Sequence, residues 1–145
     1  MSGGEPAPEQ LSAGELTRLR ETFARVPYVG LLGLKFVRAE RGAATFALDV
    51  REELTRMGGI VHGGAVVSLL DTAAAFAVHT LIGPDGRTVT VDLTVHFLRP
   101  ASDGRIEAHA RVLRRGGRVC ILSVEARDGA AEIVATATMT YLIQT

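Results

Sequence analysis

The stretch Gly58-Gly59-Ile60-Val61-His62-Gly63-Gly64 opens directly onto an apolar run whose one acid is Asp71. Glycines at a helix entrance let another backbone or a ligand approach closely, and the first turn carries backbone N–H groups with no intrahelical acceptor. With the helix dipole, those donors favour negative charge, including the oxygen of a polarised carbonyl. Two uses fit this segment: an oxyanion hole, or tight loop packing. Asp71 has Val67, Ser68, Ala74 and Ala75 at three and four residues either way, so no cation on its own helix face compensates it. A buried carboxylate of this kind needs hydrogen-bond donors from another element or a raised pKa. It is either a structural acceptor or a carboxylate facing a ligand cavity, as nucleophile or as general base on water.

Other chemistry-bearing types are less directive. Thr90 sits among Thr88 and Thr94 on the hydroxyl-bearing face of an alternating segment, which is either solvent-facing or part of a site. The histidines at 62, 79, 96 and 109 lack metal-ligand spacing, and no metal is expected. Ser68 lacks the context of a nucleophile elbow. From Arg87 to Arg118 there are seven Arg against three acids, with Arg114, Arg115 and Arg118 flanking one turn. Such a cluster suits phosphates, or is simply a solvated turn.

The elements that must position these residues follow from periodicity and punctuation. Ser12-Ala-Gly-Glu15 is a capping-box pattern, followed at helical spacing by Leu16, Leu19, Phe23 and Val26 until Pro27. Leu34 to Glu40 and Ala43 to Val50 read as strands joined by an Arg41-Gly42 turn. After a polar loop, a buried helix runs from Gly63 to near Ile82, with a turn at Gly83-Pro84-Asp85-Gly86. Arg87 to Leu98 alternates, Val89, Val91, Leu93, Val95 and Phe97 on one face and Thr88, Thr90, Asp92, Thr94 and His96 on the other. Three more strands are expected at Arg105 to Leu113, Val119 to Arg127 and Glu132 to Ile143, with turns at Gly116-Gly117 and Asp128-Gly129.

Composition narrows the functional classes. With 145 residues the chain has the length of one domain, read here as a disordered tail over 1–10 and one folded unit over 11–145. Basic and acidic residues balance at 16 each, so no global field favours nucleic acid or an anionic membrane. Apolar residues make up 47% but aromatics only 5%, which predicts a core of small, closely packed side chains. The single Cys120 excludes an internal disulfide and is expected to be buried and inert. The first residues carry no signal-peptide pattern, so a cytoplasmic location is expected. Gly63 to Ile82 has the length of a membrane span, but Asp71 near its middle costs about 2.5 to 3.5 kcal/mol on insertion scales. A helix apolar on nearly every side needs covering all round, and a six-stranded sheet covers only part of it. A second copy of the chain, pairing through edge strands, is the expected cover.

Val61-His62-Gly63-Gly64 followed by Leu69-Leu70-Asp71 resembles the signature of hotdog-fold acyl-CoA thioesterases, specifically the phenylacetate-degradation (PaaI-like) branch of the 4-hydroxybenzoyl-CoA thioesterase superfamily. Thr90 to Pro100, ending in Leu98-Arg99-Pro100, is similar to that branch's strand, and Gly117-Arg118 and Ala135 to Met139 also fit. The resemblance spans about Leu31 to Ile143 and keeps the element order.

It implies an α+β hotdog fold, a curved antiparallel sheet wrapped around one long helix, in homodimers that often assemble into homotetramers. It also implies hydrolysis of an acyl-CoA to free acid and CoA with no cofactor beyond the substrate's own coenzyme. Gly63 would supply the N–H that polarises the thioester carbonyl, and Asp71 of the other chain the catalytic carboxylate. Thr90 would position water or that carboxylate, and His62 would orient the loop. Gly64, Arg114, Arg115 and Arg118 are expected at the substrate. Where the family often carries Asn, six residues before His62, this chain has Arg56, which could contact CoA phosphates or a polar acyl group. The alternative on the same fold is a non-catalytic acyl-CoA binder; a dehydratase would want a His and acid pair that His62 lacks.

Overall fold

Ser12 has extended backbone and its hydroxyl accepts from the Glu15 N–H, which starts helix α1 (Ala13–Ala24). The computed structural model describes residues 7–144. The Glu15 carboxylate does not close the capping box on the backbone; it pairs with Arg41 at 2.7 Å. Pro27, read as a stop, also starts a short helix, α2 (Pro27–Leu32), because its fixed φ suits a first helical position. The sequence pattern does not show α2. The expected tail over residues 1–10 lies partly outside the described residues; within it, the Glu9 carbonyl accepts from the Arg41 N–H at 2.8 Å.

Strands β1 (Lys35–Glu40) and β2 (Ala43–Asp49) form the expected hairpin, with Gly42 at φ 79° in its turn. A single 3-10 turn (Glu52–Leu54) precedes α3 (Gly63–His79). Strands β3 (Arg87–Phe97), β4 (Arg105–Arg115), β5 (Val119–Arg127) and β6 (Ile133–Gln144) follow. Together they make one antiparallel sheet in the order β1-β2-β4-β5-β6-β3, so β3 is an edge strand although it follows the helix directly.

The helix α3 stops at Thr80, short of the expected Ile82. The Thr80 hydroxyl donates to the Ala77 carbonyl and accepts the Gly42 N–H at 2.7 Å, while the Arg41 guanidinium donates to the Thr80 carbonyl. A cation at the last carbonyls also complements the helix dipole, so no terminal glycine is needed.

The sheet curls over α3 and buries Leu69, Leu70, Ala73, Ala74, Ala77 and Val78. Small residues do line this contact, but four of the five Phe gather at one end: Phe23, Phe36, Phe46 and Phe76 lie with ring centroids 4.9 to 6.4 Å apart. Cys120 is fully buried, and burial pushes its thiol pKa up. Along α3 the sheet leaves a less buried stripe at helical spacing: Gly64, Val67, Ser68, Asp71, Ala75 and His79. Among the described residues no helix is long and apolar enough to cross a membrane.

Candidate active site

The strand that faces Asp71 does not alternate cleanly. Val91 is a bulge in the β3–β6 pairing, so two residues of β3 oppose one step of β6. On the arginine side of the bulge Thr88 and Thr90 oppose the buried Ile143 and Tyr141; beyond it Leu93, Val95 and Phe97 oppose Met139, Ala137 and Ala135. Directly paired residues share a face. Strict alternation would place Thr88, Thr90, Asp92, Thr94 and His96 together; the bulge keeps the first two on the helix side and sends the other three to the outer face.

One consequence is a cluster of three polar side chains against α3. The Thr90 hydroxyl donates to Asp71 Oδ1 at 2.9 Å. The Tyr141 hydroxyl, opposite Thr90 in the sheet, donates to the same Oδ1 and lies 2.6 Å from the Asp71 carbonyl oxygen. Tyr141 is almost wholly buried; desolvation, then the neighbouring Asp71, drives its pKa well above the usual phenol value. Asp71, Thr90 and Tyr141 line a cavity of about 230 Å3 together with Tyr28, Val29, Phe76, His79 and Thr88. His79 is kept toward its neutral form, first by burial and then by the charge of Arg18.

A second group of the expected residues meets at the other end of α3. His62 is the N-cap, its Nδ1 accepting from the Gly64 N–H at 2.8 Å. The Gly64 N–H is therefore engaged within the loop and is not free for substrate, and a Cβ there would come 2.9 Å from the His62 ring. The His62 carbonyl takes the Ala65 and Val66 N–H groups. Gly63, at the first helical position, is left as the orphan donor of that turn among the described residues. It lines a cavity of about 320 Å3 with Arg56, Val66, Phe97, Arg99 and Pro100. Arg56, whose Nη1 donates to the Met57 carbonyl, thus shares a cavity with the Gly63 N–H.

Asp71 and Gly63 do not meet within one chain. They are eight positions apart on one helix, about 12 Å along its axis, and line separate cavities. Arg114, Arg115 and Arg118 are also remote from Gly63: Arg115 donates to the Leu81 carbonyl just past the far end of α3, and Arg118 borders a polar cavity with Asp85, Arg87 and Gln144. Arg114 is exposed. No group of three or more His, Cys, Asp or Glu that could hold a metal occurs among the described residues.

Tyr141, Tyr28 and His79 are not singled out by the sequence reading. Tyr141 does carry a signal: Ala135, Ala137, Met139 and Tyr141 alternate onto one face of β6, and its hydroxyl is the one polar side-chain group there. A buried phenol requires a partner.

A curled six-stranded antiparallel sheet around one long helix, with a glycine-opened helix start and an acid on the helix, defines the hotdog architecture. The solved structure of PaaI from the phenylacetic acid degradation operon of E. coli shares it with a TM-score of 0.85 at 23% identity, over 94% of this chain and 97% of that one. A mutant of the phenylacetic acid degradation protein PaaI from Thermus thermophilus is 30% identical with a TM-score of 0.74, over 81% and 98%. The medium/long-chain acyl-CoA thioesterase YigI of Salmonella typhimurium is 31% identical over 81% of this chain and 86% of its own length. Residues 58–135 match the family model of the thioesterase superfamily. The chain belongs to the thioesterase superfamily, and it is an enzyme of the thioester-hydrolase class.

Proposed function

We propose that this protein hydrolyses acyl-CoA thioesters at a site shared between two copies of the chain, with Asp71 of one and the Gly63 N–H of the other. The observation that carries this is the separation of the two halves: an acid held by Thr90 and Tyr141 in one cavity, and an orphan helix N–H in another. The edge strand β3 runs past both, with Thr90 toward its start and Phe97, which packs 3.2 Å from where a Gly63 Cβ would lie, at its end. Antiparallel pairing of two β3 edges about a two-fold axis sets the Phe97 end of one against the Arg87 end of the other. That operation brings each Gly63 toward the partner's Asp71, and each Arg56 toward the partner's Arg114, Arg115 and Arg118. Similarity to YigI supports the CoA thioester as substrate.

In this arrangement the Gly63 N–H stabilises negative charge on the thioester oxygen as the carbonyl carbon becomes tetrahedral. Asp71 attacks that carbon or removes a proton from the attacking water; the CoA thiolate leaves and takes up a proton. The chemistry needs no metal or redox cofactor. Single-turnover hydrolysis in oxygen-18 water tests the nucleophilic route: label in the Asp71 carboxylate arises only through an acyl-aspartyl intermediate attacked by water at the aspartyl carbon.

Complementation tests the shared site. Asp71→Asn is expected to abolish thiol release and Gly63→Pro to lower it about 100- to 1,000-fold, and unfolding and refolding them together to restore about a quarter of the parental activity, because half the dimers carry one intact site. Mixed dimers with no activity would overturn the shared site, and an active Asp71→Asn would overturn the role of Asp71. The non-catalytic binder would release no thiol from any acyl-CoA with the parent protein.

A further inference from the structure

We infer that Tyr141 is a positioning residue for the carboxylate: with Thr90 it saturates Asp71 Oδ1, and so assigns the chemistry to Oδ2. The inference rests on the reading of Asp71 as the reacting acid and adds to it a third residue and a choice between two oxygens. Its basis is the coincidence of two side-chain donors on one oxygen. No described group donates to Oδ2.

Three features of the fold make this arrangement specific. Tyr141 and Thr90 are a directly opposed pair in the β6–β3 ladder, so the register that places one hydroxyl places the other. The Val91 bulge follows immediately, and an unbulged strand could not turn both Thr90 and Phe97 toward the helix. The Tyr141 hydroxyl also reaches the backbone carbonyl of Asp71, so one phenol holds both main chain and side chain of the same residue. A carboxylate that accepts two side-chain donors on one oxygen is fixed in rotation, and the lone pairs of the other oxygen keep a fixed direction.

The test is kcat and KM for acyl-CoA hydrolysis by the parent, Tyr141→Phe and Asp71→Asn, with Tm for each. Tyr141→Phe is expected to lower kcat about tenfold to a hundredfold and to leave KM within about twofold. A phenol serving only to fill the core would change Tm and leave kcat at the parental value, and that result overturns the inference. Should Tyr141→Phe not fold, 3-fluorotyrosine at position 141 keeps the hydroxyl as a stronger donor, which draws charge from the carboxylate and is expected to lower kcat a few fold at parental KM; a parental kcat counts against the inference. Parental activity in Asp71→Asn would instead remove the reading beneath it, whereas an inactive Asp71→Asn beside a parental Tyr141→Phe removes only the role of Tyr141.

Discussion

Gly63 combines two requirements that substitutions can separate. It lies at the first helical position, where proline is well tolerated, and His62 before it has φ −61° and ψ 133°, a conformation compatible with a following proline. Gly63→Pro should therefore fold; it adds a Cβ beside Phe97, as any L-residue there would, and it also removes the N–H, lowering kcat by about 100- to 1,000-fold. Gly63→Ala keeps the N–H but puts a Cβ 3.2 Å from Phe97 Cζ, so it should retain more activity than the proline variant. Thiol release by the two folded proteins, ranked in the opposite order, would count against an N–H role. At His62 the structure gives a cap: His62→Ala should cost about 1 kcal/mol of stability by denaturant titration, and His62→Asn, itself a good cap, much less.

At the scale of elements, the Val91 bulge decides what faces α3. Deleting Val91 would regularise β3 and force either Thr90 or the Leu93-Val95-Phe97 set away from the helix. The expected outcome is loss of thiol release together with a lowered Tm; a fully active deletion would show that the bulge does not position the site. At the opposite edge of the sheet, Asp49 of β2 links Lys35 of β1 at 2.6 Å and Arg105 of β4 at 2.8 Å. Hydrogen bonds from Arg105, then Lys35, hold its carboxyl at about 2, below its ordinary 3.8. Its folded pKa is depressed, so the stabilisation is present above about pH 4 and is lost as the pH falls toward 2. Exposure screens the pair, so the effect is small; Asp49→Asn should flatten the fall of Tm over that interval and leave Tm near neutrality almost unchanged.

For the whole molecule, the less buried stripe of α3 and the unpaired edge of β3 are the surfaces that the proposed dimer would cover. Val89 and Val91 are 45% and 58% exposed on that edge, a degree of apolar exposure that a strand edge ordinarily avoids. Val91→Glu would set like charges close together across the two-fold axis of a β3–β3 dimer. Sedimentation should then report the monomer, and thiol release should be lost with the dimer. A monomer of parental activity would show that one chain suffices.

The sequence by itself determined the helices, strands and turns that local rules govern: the Ser12 cap, the Arg41-Gly42 turn, the apolar helix after His62 and the order of six strands. It also marked Gly63 and Asp71, because a glycine-opened helix start and an uncompensated acid are legible from neighbours a few residues away. What lay beyond it were contacts between residues distant in the chain. Tyr141 reaches Asp71 across 70 positions, a pairing that exists only once β6 and α3 pack. Thr90 was visible as a hydroxyl on an alternating strand, but the bulge that turns it inward depends on register with β6, which local periodicity does not encode. The spacing of Gly63 and Asp71 along one helix is legible in the sequence, whereas only the sheet order, set by pairing between distant strands, makes β3 an edge strand.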